Sequence, residues 1–129
     1  MRPALLIVLG LAIGIIGTVF TTRALSERNP FPEALMETMG FHRHQLQLAV
    51  KGQHCDAAAN LDNLQHMQMI AADIPAVFAD TPQPFKDLTG QLRSALQTAA
   101  QAAPADCPAL AAALKPVDQA CKQCHQQFR

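Results

Sequence analysis

Apolar residues first form one unbroken run near the start of the chain. Residues 4–22 contain no charged or amide side chain over 19 positions. At ~1.5 Å per residue, a helix of that length reaches ~28 Å, close to the thickness of a bilayer's hydrocarbon core. A cleaved signal peptide usually has a shorter run and a better cleavage site than residues 22–24 offer. We expect an uncleaved signal anchor over residues 1–28, with a cleaved signal as the alternative and export in either case.

The remaining residues, 29–129, repeat apolar positions at helical spacing in four segments. The first helix is predicted over 32–51, after the stiff linker Asn29-Pro30-Phe31-Pro32, and Gly52 should stop it. Asp56 is a good N-cap for the second helix, which should run to Pro75. A longer crossing segment at 75–84 should precede a third helix over 85–102. These segments predict inward faces built on Leu35, Met39, His42 and Leu46, then Leu61, Leu64, Ala71 and Ile74, then Phe85, Leu88, Leu92 and Ala99.

The fourth helix has the most regular pattern. Asp106 can cap it, and Pro116 lies inside it and should kink it. Its apolar series has alternating steps of four and three residues: Leu110, Leu114, Val117, Cys121, Cys124 and Phe128. Four consecutive helices of similar length most simply form an up-down-up-down bundle. That topology places the start of the first helix and the end of the fourth at the same end.

Composition supports an all-α domain over 29–129 and argues against some classes of function. The chain has no Trp or Tyr and few Gly residues, and no glycine-rich loop that could bind a nucleotide phosphate. Residues 29–129 carry seven basic and nine acidic side chains, a net charge of −2. This weak acidity argues against a nucleic-acid partner, which would require a basic patch.

The C-terminal end contains a C-x-x-C-H motif at residues 121–125. On a helix, Cys121, Cys124 and His125 share one face because they are spaced three and four residues apart. Two such thiols can form thioethers with the vinyl groups of a haem while the imidazole coordinates its iron. With four Cys and five His in 129 residues, we estimate that chance would produce this pattern at about 0.5%.

Other roles for the motif fit the sequence less well. A zinc site usually has a second closely spaced pair of ligands, whereas Cys55 and Cys107 are isolated and predicted at the opposite end of the bundle. A thioredoxin-like dithiol requires a βαβ setting, which this chain does not have. A disulfide within the motif would leave His125 without a role. We therefore expect one covalently bound haem c.

The motif stands just before the C-terminus, on the last of four predicted helices, and is followed by Gln-Gln-Phe128-Arg129. In this respect the chain resembles the class II c-type cytochromes, the cytochrome c-prime family, over about residues 32–129. Segment 34–40 of the first bundle helix contributes to the resemblance. The resemblance implies a four-helix bundle with haem near one end, thioethers on Cys121 and Cys124, and His125 as the proximal iron ligand.

The resemblance also implies that the distal side of the iron decides the function. Some family members have an open, five-coordinate iron that binds NO or CO, and others use a Met from the first bundle helix as the sixth ligand. Met36 resembles that Met. It lies one turn into its helix, at the end where the fourth helix finishes, and Gly40 one turn later would let a flat ring approach the backbone. Core filling by Met36 is the alternative, and Met39, His42 and His44 are weaker candidates.

These features predict a monohaem electron carrier at the periplasmic face of the bacterial inner membrane. The alternative is a five-coordinate haem protein that binds NO or CO, and a third hypothesis is a sensor that uses haem structurally. We find no catalytic dyad and do not expect an enzyme. The expected partners are the membrane and an unidentified redox protein, and a homodimer is compatible with the resemblance.

Three further predictions concern individual side chains. Lys122 and Arg129 could pair with haem propionates, and Phe128 should pack on the ring edge or in the core. Cys55 and Cys107 lie in the two loops at the end away from the haem. Because export places them in an oxidising compartment, we expect a Cys55–Cys107 disulfide.

Overall fold

The computed structural model describes residues 2–26 and 30–128, and over these residues it contains five helices and no strand. Their bounds are α1 Arg2–Ser26, α2 Phe31–Gly52, α3 Ala57–Val77, α4 Gln83–Ala102 and α5 Cys107–Phe128. The prediction of an all-α chain is therefore confirmed for the described part. The chain divides into two compact units, Met1–Pro30 and Phe31–Arg129.

The first unit consists of α1. Its segment Leu6–Arg23 is long and apolar enough to cross a membrane, a property that an N-terminal signal sequence would share. The Thr18 and Thr21 hydroxyls donate to backbone carbonyls one turn earlier, at 2.8 and 2.6 Å. Such bonds satisfy hydroxyl groups without water, as a lipid environment requires.

The second unit is a set of four packed helices. Each helix from α2 to α5 packs against the next, and α5 also packs against α2. The two ends of α2 show that α5 runs antiparallel to it. Met36, early in α2, and His125, late in α5, line the same cavity, whereas the Ala49 carbonyl oxygen, late in α2, lies 3.8 Å from the Cys107 sulfur at the start of α5. This is the connectivity that the helical pattern predicts.

All four helices contribute apolar side chains to one core. Leu46, Leu64, Leu96 and Leu110 come from α2, α3, α4 and α5 respectively, and each is at most 1% exposed. Burying a Leu side chain contributes about 2 kcal/mol relative to leaving it in water, so these positions set the register between the helices. Some predicted inward residues are less buried: His42, Leu61 and Leu88 are half-buried, and Phe128 near the end of α5 is exposed.

The helix ends follow from their capping residues. The Asp56 and Asp106 carboxylates accept from the backbone N–H groups of Ala59 and Ala109, each at 2.8 Å. Both N-caps are thus as predicted. At the end of α2, Gly52 is still helical and Gln53 takes the left-handed conformation, with φ of 56°. The helix therefore ends one residue later than the glycine signal indicated.

The predicted long crossing segment at 75–84 is wrong at both ends. α3 continues through Pro75 to Val77, and α4 begins at Gln83 with a proline in its first turn. A proline near a helix end removes one backbone bond, and packing of the buried Ile74 against the core offsets that loss. Pro84 suits the first turn, where its N–H would have no intrahelical partner.

The end of the bundle formed by the two short loops is cross-linked. Cys55 and Cys107 form a disulfide across 52 residues of sequence, with their Cα atoms 5.2 Å apart. Next to it, the buried Asn60 side chain donates to the Pro104 carbonyl at 3.1 Å. These two links join the α2–α3 loop region to the α4–α5 loop.

Candidate haem site

The apolar face of α5 is covered along most of its length and uncovered at its C-terminal end. Val117 and Ala120 are buried, whereas Cys121 and Cys124 are half-buried and His125 is exposed. The periodic pattern continues past Ala120, but packing by the other helices becomes incomplete there: Cys121 and Cys124 contact the core only in part, and Phe128 packs on Phe85. The helical spacing therefore presents the two thiols and the imidazole to the space that these contacts leave open.

A cavity of about 370 Å³ occupies this space between the helices. Its walls come from all four helices of the bundle and carry the whole C-x-x-C-H motif. The lining residues are Met36, Met39, Gly40, Arg43, Ile74, Leu88, Thr89, Leu92, Asp118, Cys121, Lys122, Cys124 and His125. A mostly apolar pocket with a few polar groups is typical of a cofactor site.

A second cavity, of about 630 Å³, adjoins the first. Met36, Gly40, Arg43, Cys124 and His125 line both cavities. The second cavity adds an apolar wall of three phenylalanines and two carboxylates on α2; the additional lining residues are Pro32, Glu33, Glu37, Phe78, Phe85 and Phe128. The two cavities therefore share one set of lining residues.

The two thiols of the motif are free in the structure and have reduced contact with water. Burial raises the pKa of the Cys121 thiol, and the nearby Arg43 guanidinium partly opposes that rise. Burial also raises the pKa of the Cys124 thiol. Both effects favour the neutral thiol, the form that adds across a vinyl group with no net change in charge.

Met36 and Gly40 lie on the α2 wall opposite the motif. Met36 is half-buried and packs against the core, while Met39 is a core residue with 5% exposure. A Cβ atom built at Gly40 would meet no atom within 4 Å. Protein packing therefore does not explain this glycine, and the open space beside it belongs to the two cavities.

Arg43 is a site residue that the sequence analysis missed. Its Nε donates to the Asp118 carboxylate at 2.5 Å, and both side chains are 37% exposed. The pair joins α2 to α5 and lines the first cavity. The spacing Asp118-x-x-Cys121 places an acid one turn before the motif and was a usable signal, but nothing in the sequence paired that acid with Arg43.

Three phenylalanine side chains that line the second cavity also contact one another. The rings of Phe85 and Phe128 meet edge to face with centroids 5.3 Å apart, and Phe78 lies 5.3 Å from Phe85. Phe128 thus packs on another aromatic ring but is 37% exposed, so it is not the core residue of the one alternative, and its packing on the haem edge stays a prediction.

The remaining predicted residues lie in different parts of the structure. Lys122 lines the first cavity, and Arg129 lies outside the described residues. Cys55 and Cys107 are bonded to each other at the far end of the bundle. His42 and His44 line neither cavity, and His42 instead stacks on His66. Met39, the other weaker ligand candidate on α2, lines the first cavity as a buried core residue.

A haem group fits these residues on three observations of the protein itself. Two thiols and an imidazole project from one helix face, a thioether side chain faces them across the cavity, and a glycine leaves the opposite wall open. A Met and a His are ligands that protein haem iron takes. Among the described residues no group of three or more His, Cys, Asp or Glu side chains is placed to hold a metal ion.

Comparison with known proteins supports the same assignment. Residues 80–129, which contain α4, α5 and the C-x-x-C-H motif, match the model of the cytochrome c′ family. No curated protein and no solved structure matches the chain. Over this region the chain is similar to the cytochrome c′ family, and the match supports a haem cofactor.

Proposed function

We propose that this protein is a monohaem c-type cytochrome that carries electrons, with Met36 and His125 as the axial ligands of its iron. The observation that carries the proposal is the convergence of Met36, Cys121, Cys124 and His125 on one cavity from two antiparallel helices. Helix α5 supplies three of these groups at fixed spacing, and α2 supplies the fourth from across the bundle.

Each residue has a distinct role in this proposal. Cys121 and Cys124 would hold the cofactor through two thioether bonds, each formed by addition of an S–H group across a vinyl group. His125 then coordinates the iron from the same helix. Arg43 and Lys122 are the cationic side chains that line the cavity and could pair with propionates.

The bound haem would supply a one-electron Fe(III)/Fe(II) couple. A thioether ligand from Met36 would raise the reduction potential because it favours the ferrous over the ferric state. The apolar walls formed by Leu88, Leu92 and Ile74 exclude water from the metal. A fixed sixth ligand also leaves no free position for a small gas, which separates an electron carrier from a protein that binds NO or CO.

We further propose that the chain stays attached to the bacterial inner membrane with the bundle in the periplasm. The apolar segment Leu6–Arg23 supports an anchor by its length and composition. Electrons would pass to an unidentified redox protein, and the proposal assigns the bundle no catalytic role.

A substitution at Met36 tests the proposal. Met36→Leu conserves volume and removes the ligand, so we expect the ferrous haem to change from low spin to high spin and to bind CO on mixing. Met39→Leu, one turn away in the core, is the matched control and should keep the low-spin spectrum. Visible spectroscopy, with haem content and helical circular dichroism checked for each variant, makes the comparison. A Met36→Leu protein that remains low spin would remove Met36 from the ligand role.

A further inference from the structure

The second cavity opens to solvent between α2 and α5. Glu33, Glu37 and Gly40 on α2 and His125 and Phe128 on α5 line this cavity, and all five residues are exposed. We call these five residues the cavity mouth. Because His125 belongs to the C-x-x-C-H motif, a cofactor held by the motif would reach the protein surface at this mouth.

The charges that line this cavity do not cancel. The Arg43 guanidinium is paired with the Asp118 carboxylate. Neither Glu33 nor Glu37 forms an ion pair within the described part of the chain, and Lys122 lines only the first cavity. The mouth therefore carries two negative charges that no ion pair neutralises.

The stability of α2 explains only one of these two carboxylates. Glu33 lies in the first turn of α2, where a negative charge interacts favourably with the helix dipole. Glu37 lies one turn later, where that effect has faded, and two like charges spaced four residues apart destabilise a helix. Folding therefore gives no reason for an acid at position 37, whereas its place at the cavity mouth does.

Net charge is also distributed unevenly along the bundle. When α2 to α5 are divided at their midpoints, the half that carries the motif comprises residues 31–41, 67–92 and 118–129. This half contains six acidic and three basic side chains, a net charge of −3, and the other half contains three acidic and four basic side chains, a net charge of +1. Such an asymmetry directs an approaching cation toward the half that contains the mouth.

We propose that the cavity mouth is the docking surface for a redox protein that presents lysine and arginine side chains around its own cofactor. This inference rests on the proposed electron-carrier function and adds the chemistry of the partner. One electron would pass from ferrous iron to the oxidised partner, which leaves ferric iron and a partner reduced by one electron, and no bond forms or breaks. Cations of the partner would pair with Glu33 and Glu37, and the exposed part of Phe128 would add an apolar contact. An acidic partner or an anionic lipid surface would be repelled by the same two carboxylates.

Oxidation of the ferrous full-length holoprotein in a neutral detergent by small metal complexes tests the charge of the mouth. Tris(phenanthroline)cobalt(III) is the cationic oxidant and ferricyanide the anionic one, and stopped-flow spectroscopy follows both reactions at the visible bands. Added NaCl should slow the cobalt reaction and accelerate the ferricyanide reaction. Glu33→Gln and Glu37→Gln should each slow the cobalt reaction about threefold at low salt and accelerate the ferricyanide reaction by about the same factor.

Two control variants separate docking from other effects. Glu37→Asp keeps the charge and should leave both rates close to those of the wild type. Asp106→Asn removes one negative charge at the opposite end of the bundle, where Asn is as good an N-cap as Asp, and should change neither rate. A shift in reduction potential alone would move the rates with both oxidants in the same direction, so opposite changes identify the surface charge.

Carbodiimide cross-linking to poly-L-lysine locates the surface directly. The reagent joins a carboxylate to an adjacent amine as an amide with loss of water, and peptide mass spectrometry identifies the carboxylates; we expect Glu33 and Glu37 to dominate over Asp106. Even cross-linking of all exposed carboxylates, or equal cobalt rates in the wild type and both Gln variants, would overturn the docking surface and leave electron transfer by the haem intact. A ferrous haem that neither complex oxidises would overturn the electron-carrier role and the docking surface with it.

Discussion

At the scale of single residues, the Arg43–Asp118 ion pair is the main charged feature beside the motif. The pair is partly exposed, so its contribution to the free energy of unfolding should be less than ~1 kcal/mol. The effect of the ion pair on the reduction potential of a haem in the adjoining cavity is a separate quantity. A fixed positive charge favours the ferrous state and a fixed negative charge favours the ferric state.

Neutralising each member of the pair should therefore shift the reduction potential in opposite directions. Arg43→Gln should lower it and Asp118→Asn should raise it, each by about 40 mV, which corresponds to roughly 1 kcal/mol for one electron. Redox titration of the two holoproteins, followed at the visible bands, measures both shifts. Shifts of the same sign would show that the charges do not act on the iron in this way.

The sequence revealed the residues of the motif more completely than their surroundings. Cys121, Cys124 and His125 were found because their spacing is regular on one helix. Arg43 was missed because its partner is 75 residues away, and a long-range ion pair leaves no local pattern. His42 was assigned to the inward face from its period, but an imidazole that can bond to Asn63 lies at the edge of the core.

At the scale of elements, the helices were predictable wherever apolar period and capping residues agreed. Asp56 and Asp106 cap α3 and α5 as expected, and the inward positions of α4 and α5 are largely buried. The predicted helix bounds were wrong where a proline was given more weight than the apolar period. Pro75 suggested an early end to α3, whereas the buried Ile74 keeps the last turn packed against the core; this tertiary contact is invisible to a local rule.

The disulfide links the two helical hairpins, and its removal should affect stability without affecting the haem. A cross-link that closes 52 residues contributes about 4 kcal/mol in the chain-entropy model. The Cys55→Ser/Cys107→Ser double variant should lose about that much free energy of unfolding in a denaturant titration. Its visible spectrum should be unchanged, because the motif lies at the other end of the bundle. A variant of unchanged stability would show that the cross-link does not constrain the unfolded chain.

At the scale of the whole molecule, the two ends of the second unit differ: one is cross-linked and the other contains a cavity. Covalent and hydrogen-bonded links fasten the end that carries the short loops, and the opposite end leaves a cavity where α5 presents its motif. Fewer side chains pack across the cavity at the open end. The disulfide and the hydrogen bond at the other end therefore contribute more to holding the helices together. Cofactor binding would supply the missing contacts at the open end.

The mass of the mature protein tests the proposed anchor. If the N-terminal segment stays attached, intact-mass spectrometry should give the full chain of 13.9 kDa plus one haem. Release of the protein from membranes should then require detergent rather than high salt. A mature mass lower by the weight of the first two dozen residues or so would instead establish a cleaved signal and a soluble periplasmic protein.

The most direct test of the central claim is the visible spectrum of the reduced, full-length holoprotein before and after addition of CO. With Met36 and His125 on the iron, the ferrous protein should have a low-spin spectrum that CO leaves unchanged on the time scale of mixing. A high-spin ferrous spectrum that changes at once with CO would contradict the account. That result would establish a five-coordinate iron and favour a protein that binds small gases.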